Sequence, residues 1–312
     1  MRSMRPPDCG YRPSGTRSLL SIIMTDDVRA DAWLGTMVHV VASRQNRPNL
    51  PSSGCPFCVG GLEANEPYSV RVIPNRWPPM PDSRCEVVLY SSDHHQRLAT
   101  LPSQNIAELV DVWAERTRSL GTRDDVDFVL IFENSGREVG ATIDHPHGQI
   151  YAFDHVPDRP RRRLAAGWKP DPTKERLVAE RDGWVATVPY VSAYPLAVEI
   201  APIERLPDLP SMDAARRRAF GAILQDVLLR IEALHGEPTP TMMWFNQRPT
   251  LRGDRERDIE GASDSWFNVE IVSPWRATKV MRYIAAAEVA TNEYFVPVVP
   301  EDLAARLREA IP

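Results

Sequence analysis

The chain has 312 residues, with 37 Lys plus Arg against 42 Asp plus Glu, a formal net charge of −5. Apolar residues make up 43% and charged residues 25%, ordinary values for a globular chain long enough to bury a large core without disulfides. The mild acidity argues against a nucleic-acid binder, no stretch nears roughly 18 uninterrupted apolar residues, and four cysteines are too few for a disulfide framework, so the expectation is a cytoplasmic enzyme without nucleic-acid or membrane partners. The 29 prolines exclude a long-helix bundle and call for many short elements.

In chain order, residues 1–24 carry Pro6, Pro7 and Pro13 without periodicity and read as a flexible extension. Residues 33–43 read as a strand with Val38, Val40 and Ala42 on one face. A Pro- and Gly-rich loop at 46–61 carries Cys55-Pro56-Phe57-Cys58, a spacing that in a reduced compartment points to metal binding or redox chemistry. A strand follows at 86–91. Residues 103–120 then place Ile106, Leu109, Val110 and Trp113 at helical spacing behind Ser103 as N-cap. Residues 126–132 and 147–153 read as strands, and Arg159 to Arg163, with four arginines in five positions, as a solvated loop.

The second half repeats this order. A strand, a turn and a long amphipathic helix at 211–235 precede strands at 241–246 and 266–273, as 87–103 precedes the first helix. The expected architecture is therefore α+β, with two tandem units at 25–165 and 166–312. Each unit is an antiparallel sheet with packed helices, and together they form one pseudo-duplicated enzyme.

The units differ in chemistry. Five of the seven histidines lie between His94 and His155, and the first unit carries His145-Pro146-His147-Gly148-Gln149 where the second reads WFNVEIV at 266–272. In an extended chain residues 145, 147 and 149 share a face, and Gly148 leaves room for a close ligand approach. The loop Glu133 to Gly140 just upstream has the composition to turn backbone N–H groups toward phosphate oxygens.

The run FENSGREVGATIDHPHGQIYAF at 132–153 resembles the galactose-1-phosphate uridylyltransferases, the transferase branch of the histidine-triad superfamily. The similarity extends to WLGTMVHVVASRQNRP (33–48), CPFC (55–58), IPNRWP (73–78), SSDHHQ (91–96) and, more loosely, 273–290. It implies two HIT-like units and a nucleotidyltransferase that moves a nucleoside monophosphate, UMP by analogy, between sugar 1-phosphates. His147 would be the nucleophile of a ping-pong reaction through a covalent nucleotidyl-histidine. Gln149 would donate to a phosphoryl oxygen; it cannot deliver a proton as a third histidine could, which favours transfer over hydrolysis. The resemblance also implies one structural zinc on Cys55, Cys58, His94 and His145, with His95 competing with His94. Nucleotide contacts carry over onto Arg44, Arg47, Asn75, Asn134, Gly140 and Thr142.

The resemblance breaks at two places. The family's second metal site uses a glutamate and three histidines. Here its positions fall in the Arg-rich run, at Phe245 and in WFNVEIV, so no second metal is expected. In the C-terminal segment Glu288 is kept, Arg282 replaces a lysine, Ala287 a tyrosine, and Tyr294 stands near the place of a glutamine. Lost sugar contacts point to a sugar other than galactose. The expected assembly is a homodimer in which this segment completes the partner's site, leaving a phosphorylase, a hydrolase or an idle nucleotide- or zinc-binding protein as alternatives.

Overall fold

The structure is a computed structural model that describes residues 27–46, 54–250 and 259–311. The 1–24 extension and Arg47 lie outside the described residues. The described residues open with a hairpin of β1 (Asp27–Ala30) and β2 (Met37–Val40). The strand expected at 33–43 is thus shorter. The Asp31 carboxylate accepts the N–H groups of Trp33 and Leu34 at 2.7 and 2.9 Å, closing a turn where alternation would have continued. Val38 and Val40 do not form a buried face; they are 52% and 38% exposed.

The main sheet comprises β3 (Arg71–Pro74), β4 (Cys85–Leu89), β5 (Phe128–Ser135), β6 (His147–Phe153), β7 (Leu177–Arg181), β8 (Trp184–Thr187), β9 (Leu196–Pro202), β10 (Thr241–Asn246) and β11 (Asn268–Ser273). These nine strands pair antiparallel in the order β3-β4-β6-β5-β10-β11-β9-β8-β7. The order β3-β4-β6-β5 is mirrored by β8-β9-β11-β10, as when two copies of one α+β unit join by the edges that β5 and β10 form. At that seam Phe132 of β5 faces Trp244 of β10, and pairing there removes two edges that would otherwise expose unpaired backbone groups.

One face of the sheet is covered by α1 (Ser103–Gly121), α3 (Ala214–His235) and the C-terminal helix α5 (Pro300–Glu309); the short helices α2 (Asp158–Ala165) and α4 (Ala286–Thr291) lie elsewhere. A single core runs beneath both halves, with Trp113 of α1 on Phe245 at 5.0 Å and Phe220 of α3 on Phe267 at 5.3 Å between ring centroids. Ser103 is the first helical residue rather than the cap. Pro102 occupies the cap position, with its φ fixed at −56° by the ring, and no side chain caps there. In α3 the Asp213 carboxylate accepts from Arg216 N at 2.8 Å, so the helix starts three residues later than its apolar spacing suggests.

The Arg-rich run is helix α2, not a solvated loop. Asp158 in its first turn pairs with Arg161 and Arg162 at 2.6 and 2.7 Å. Arg159 and Arg163, one turn apart, face the second half of the sheet, where Arg159 meets Glu270 at 2.7 Å and Arg163 meets Glu199 at 2.8 Å.

On β6 alternation divides the side chains cleanly. His147, Gln149 and Tyr151 face away from the helices, while Gly148, Ile150 and Ala152 are buried toward the core. Gly148 therefore does not give room to a ligand. Its missing side chain gives room to Tyr90, since a Cβ at 148 would lie 2.1 Å from the Tyr90 hydroxyl and 3.0 Å from the Phe132 carbonyl. Gly148→Ala is expected to cost about 1–3 kcal/mol of stability by overpacking, and Tyr90→Phe in the same chain to recover part of it. Urea unfolding midpoints measure both; an unchanged midpoint for Gly148→Ala would refute the packing account.

Candidate active site

The open face of β6 looks into a cavity of about 1000 Å³ lined by His147, Gln149, Asn75, Trp77, Thr142 and the loop around Phe57. The nitrogen Nδ1 of His147 donates to the carbonyl of His145 at 2.8 Å. A carbonyl only accepts, so the proton is on Nδ1 and the imidazole lone pair on Nε2. Gln149 is held from two sides: its Oε1 accepts from Asn75 Nδ2 at 3.2 Å and from the Tyr151 hydroxyl at 3.1 Å. Asn75 is itself oriented, because its Oδ1 accepts the N–H of Trp77 at 2.9 Å. With the oxygen occupied, Gln149 presents its NH₂ as the donor. Asn75, expected to touch nucleotide, thus also sets the amide of Gln149. Tyr151 was missed, although period-2 alternation from His147 and Gln149 puts it on the same face.

His145 departs from the shared-face expectation, because β6 begins only at His147. The His145 ring, 1% exposed, turns into a cluster with Cys55, Cys58 and His94, whose ligand atoms all lie within 4.8 Å of one another. Cys58 Sγ is 3.5 Å from His94 Nδ1 and 3.7 Å from His145 Nδ1. Tetrahedral zinc with its usual bond lengths separates sulfur and nitrogen ligands by about 3.6 Å, so this donor set can hold such an ion. His145 Nε2–H donates to the Ser91 carbonyl at 2.7 Å, which leaves the Nδ1 lone pair for a metal. Burial pushes the His145 imidazole pKa down and the Cys58 thiol up. The neutral imidazole is the ligating form, and a divalent cation would offset the cost of a buried thiolate. His94 rather than His95 enters the group: His95 stacks edge-on against the His94 ring on the outer side.

The remaining expected contacts are dispersed. Thr142 lines the His147 cavity, but the loop before it bonds to itself. Val139 N and Ala141 N donate to Gly136 O, and Gly140 N donates to Arg137 O at 3.0 Å. Gly140 is required by a left-handed φ of 88° that closes this turn, not by a phosphate cradle of those three N–H groups. Arg44 lies in a short 3-10 turn at Ala42–Asn46 and is not among the residues lining the cavity. Asn134 lines a second cavity of about 880 Å³ on the same face of the sheet, beside the seam. Arg282 and Glu288 pair with each other, and Glu288 also accepts the N–H groups of Ala285 and Phe295 at 3.0 Å.

The positions matched to a second metal site hold other chemistry. Glu199 and Glu270 face each other on neighbouring strands, with Arg163 at 2.8 Å from Glu199 and 3.6 Å from Glu270. The Arg163 guanidinium lies 4.0 Å above the Trp168 ring. Phe245 is buried in the core on the opposite face.

A family model described as galactose-1-phosphate uridyl transferase, N-terminal domain, matches residues 79–157. The galactose-1-phosphate uridylyltransferase of Thermotoga maritima is 36% identical over 89% of this chain and 95% of its own length. A solved chain titled as the structure of uridylyltransferase superposes with a TM-score of 0.79 at 25% identity, over 91% of this chain and 97% of that one. The ADP-glucose phosphorylase of Arabidopsis thaliana is 23% identical over 86% of this chain and 84% of its own. The protein is an enzyme of the nucleotidyltransferase type. Within that class, the chain belongs to the galactose-1-phosphate uridylyltransferase family. Among the described residues no helix is long and apolar enough to cross a membrane.

Beside β6, Glu133 of β5 is buried on the core face next to Tyr90. The neighbouring Tyr90 hydroxyl favours the carboxylate, though it makes no full hydrogen bond. Burial raises the Glu133 pKa from 4.5 to about 8, so the folded state holds a proton that the unfolded state releases. Its stabilising effect is complete below 4.5 and is lost as pH rises toward 8. Glu133→Gln is expected to flatten the fall in urea-unfolding free energy over that window. Parallel slopes for wild type and variant would count against a neutral Glu133.

Proposed function

We propose that the protein moves a nucleoside monophosphate, UMP by analogy, between sugar 1-phosphates by a ping-pong reaction through His147. The observation that carries this reading is the fixed pair of tautomer and amide on β6: a lone pair on His147 Nε2 and an outward NH₂ on Gln149. Nε2 attacks the α-phosphorus of a nucleoside diphosphate sugar. The bond from that phosphorus to the bridging oxygen breaks, and sugar 1-phosphate leaves with the electron pair. A phosphate oxygen of the second sugar 1-phosphate then attacks the same phosphorus and returns the imidazole lone pair to His147. The Gln149 NH₂ supports the charge on the non-bridging oxygens, and Asn75 and Tyr151 hold it there. Thr142 is in reach of the same phosphates, with Gly140 shaping the loop that carries it.

One zinc ion per chain belongs in this reading, held by Cys55, Cys58, His94 and His145 as a structural ion with four protein ligands. It supplies cross-linking of the 55–58 loop to the catalytic strand, and the phosphorus chemistry uses only side chains. The unit at 25–165 is catalytic and the unit at 166–312 supports it. With Arg282 and Glu288 paired with each other and Ala287 in place of a phenol, the accepted sugar is one other than galactose. Tyr283, Val289 and Phe295 of the C-terminal segment are 74%, 72% and 70% exposed, an apolar surface that suits a homodimer in which this segment reaches the partner's cavity. Likeness to the Arabidopsis phosphorylase keeps inorganic phosphate as the second acceptor to be tried.

The test incubates the enzyme with nucleoside diphosphate sugars labelled in the α-phosphate. Wild type acquires acid-labile, base-stable label that the correct sugar 1-phosphate discharges; His147→Gly acquires none. Asn75→Ala and Tyr151→Phe label about 10–100-fold more slowly, in line with a weakened oxyanion donor. Label on the His147→Gly protein would sink the mechanism, and discharge by phosphate alone would make the enzyme a phosphorylase. Metal analysis finds about one zinc per chain; two would contradict loss of the second site.

A further inference from the structure

Tyr68 lies in the loop leading into β3, 11 residues from Phe57 and 77 from His145. Its hydroxyl donates to the Phe57 carbonyl at 2.6 Å, and its oxygen is 2.8 Å from His145 Nε2. That ring N–H also points at the Ser91 carbonyl at 2.7 Å, so carbonyl and phenol oxygen share it. Both acceptors hold the proton on Nε2 and the lone pair on Nδ1, the atom that faces Cys58. Phe57 directly precedes Cys58, and its ring packs on both histidines of the motif, 6.0 Å from His145 and 5.2 Å from His147 between centroids. The guanidinium of Arg71 lies 5.2 Å over the Tyr68 ring and keeps it in place.

We propose that Tyr68 is the positioning residue that couples the metal cluster to the nucleophile. It fixes the Nδ1-ligating tautomer of His145 and pins the loop between Cys55 and Cys58, so that Phe57 flanks the His147 ring. This inference rests on the metal reading of the four-residue cluster. A partner of this kind behind a ligating histidine is typically worth about 10–100-fold in metal affinity, and the tilt of the nucleophile depends on the same contacts.

The experiment uses the full chain and two readouts. Competition with a chromogenic chelator measures zinc affinity for wild type, Tyr68→Phe and Ser69→Ala, the last a neighbouring exposed residue. Tyr68→Phe is expected to bind zinc about 10–100-fold more weakly, with Ser69→Ala at the wild-type value. With zinc resupplied in excess, Tyr68→Phe should still label His147 more slowly at saturating nucleotide sugar, with unchanged half-saturation, because Phe57 is no longer pinned. A Tyr68→Phe protein that matches wild type in both zinc affinity and labelling rate overturns the inference. Wild type without zinc overturns the metal reading and this inference together. Wild type that holds zinc but takes no label overturns only the transfer mechanism, and the zinc comparison then decides on Tyr68 by itself.

Discussion

The hydrogen bond from His147 Nδ1 to the backbone carbonyl of His145, at 2.8 Å, is the contact on which the site depends. It spans one residue, Pro146, and joins two rings with opposite proton placement: His147 protonated on Nδ1, His145 on Nε2. The first arrangement leaves the lone pair of His147 on Nε2. The second leaves the lone pair of His145 on Nδ1, which faces Cys58. Neither tautomer is intrinsic to imidazole; one is imposed by the His145 carbonyl, the other by the Ser91 carbonyl and the Tyr68 oxygen together. Displacing His145 would therefore move both the metal cluster and the acceptor that orients His147.

The strand carrying this bond is held from below as firmly as from the side. Tyr90 fills the gap under Gly148, and Glu133 and Trp113 pack next to Tyr90 in the core beneath both halves. That support costs something, since a carboxyl group is buried there in its neutral form. Charged contacts bind α2 to the opposite half, with Arg159 and Arg163 drawn to Glu270 and Glu199. The duplicated fold thus uses its two copies unequally. One open face presents an imidazole and an amide, and the other presents carboxylates already occupied by arginines of the chain.

Much of this was legible in the sequence because it is local. Strands 147–153 and 241–246 have the bounds read from the sequence, and the expected repeat of element order matches β3-β4-β6-β5 and β8-β9-β11-β10, which mirror each other across the Phe132–Trp244 pair within one sheet that also holds β7. The HPHGQ segment supplied the nucleophile candidate, and together with the CxxC loop and SSDHHQ it supplied, through the resemblance, the metal-ligand candidates Cys55, Cys58, His145 and either His94 or His95. The misreadings occurred where a non-local or end effect prevailed. Asp31 cut the first strand short, Pro102 displaced Ser103 as the cap, and a partner on β11 drew the arginine run into a helix.

By itself the sequence determined the period of the longer elements, the repeat of their order, the family resemblance and the residue types able to attack phosphorus or hold zinc, since these depend on neighbours a few positions apart. Only the tertiary structure decided which histidine nitrogen carries the proton, that His94 rather than His95 joins the two cysteines, that Gly148 yields space to Tyr90, and that Asn75 and Tyr151 stand behind Gln149 and Tyr68 behind His145. Each of those outcomes depends on an acceptor, donor or atom that the fold brings from a distant part of the chain or from the far side of a strand, and residue spacing along the chain does not encode such contacts.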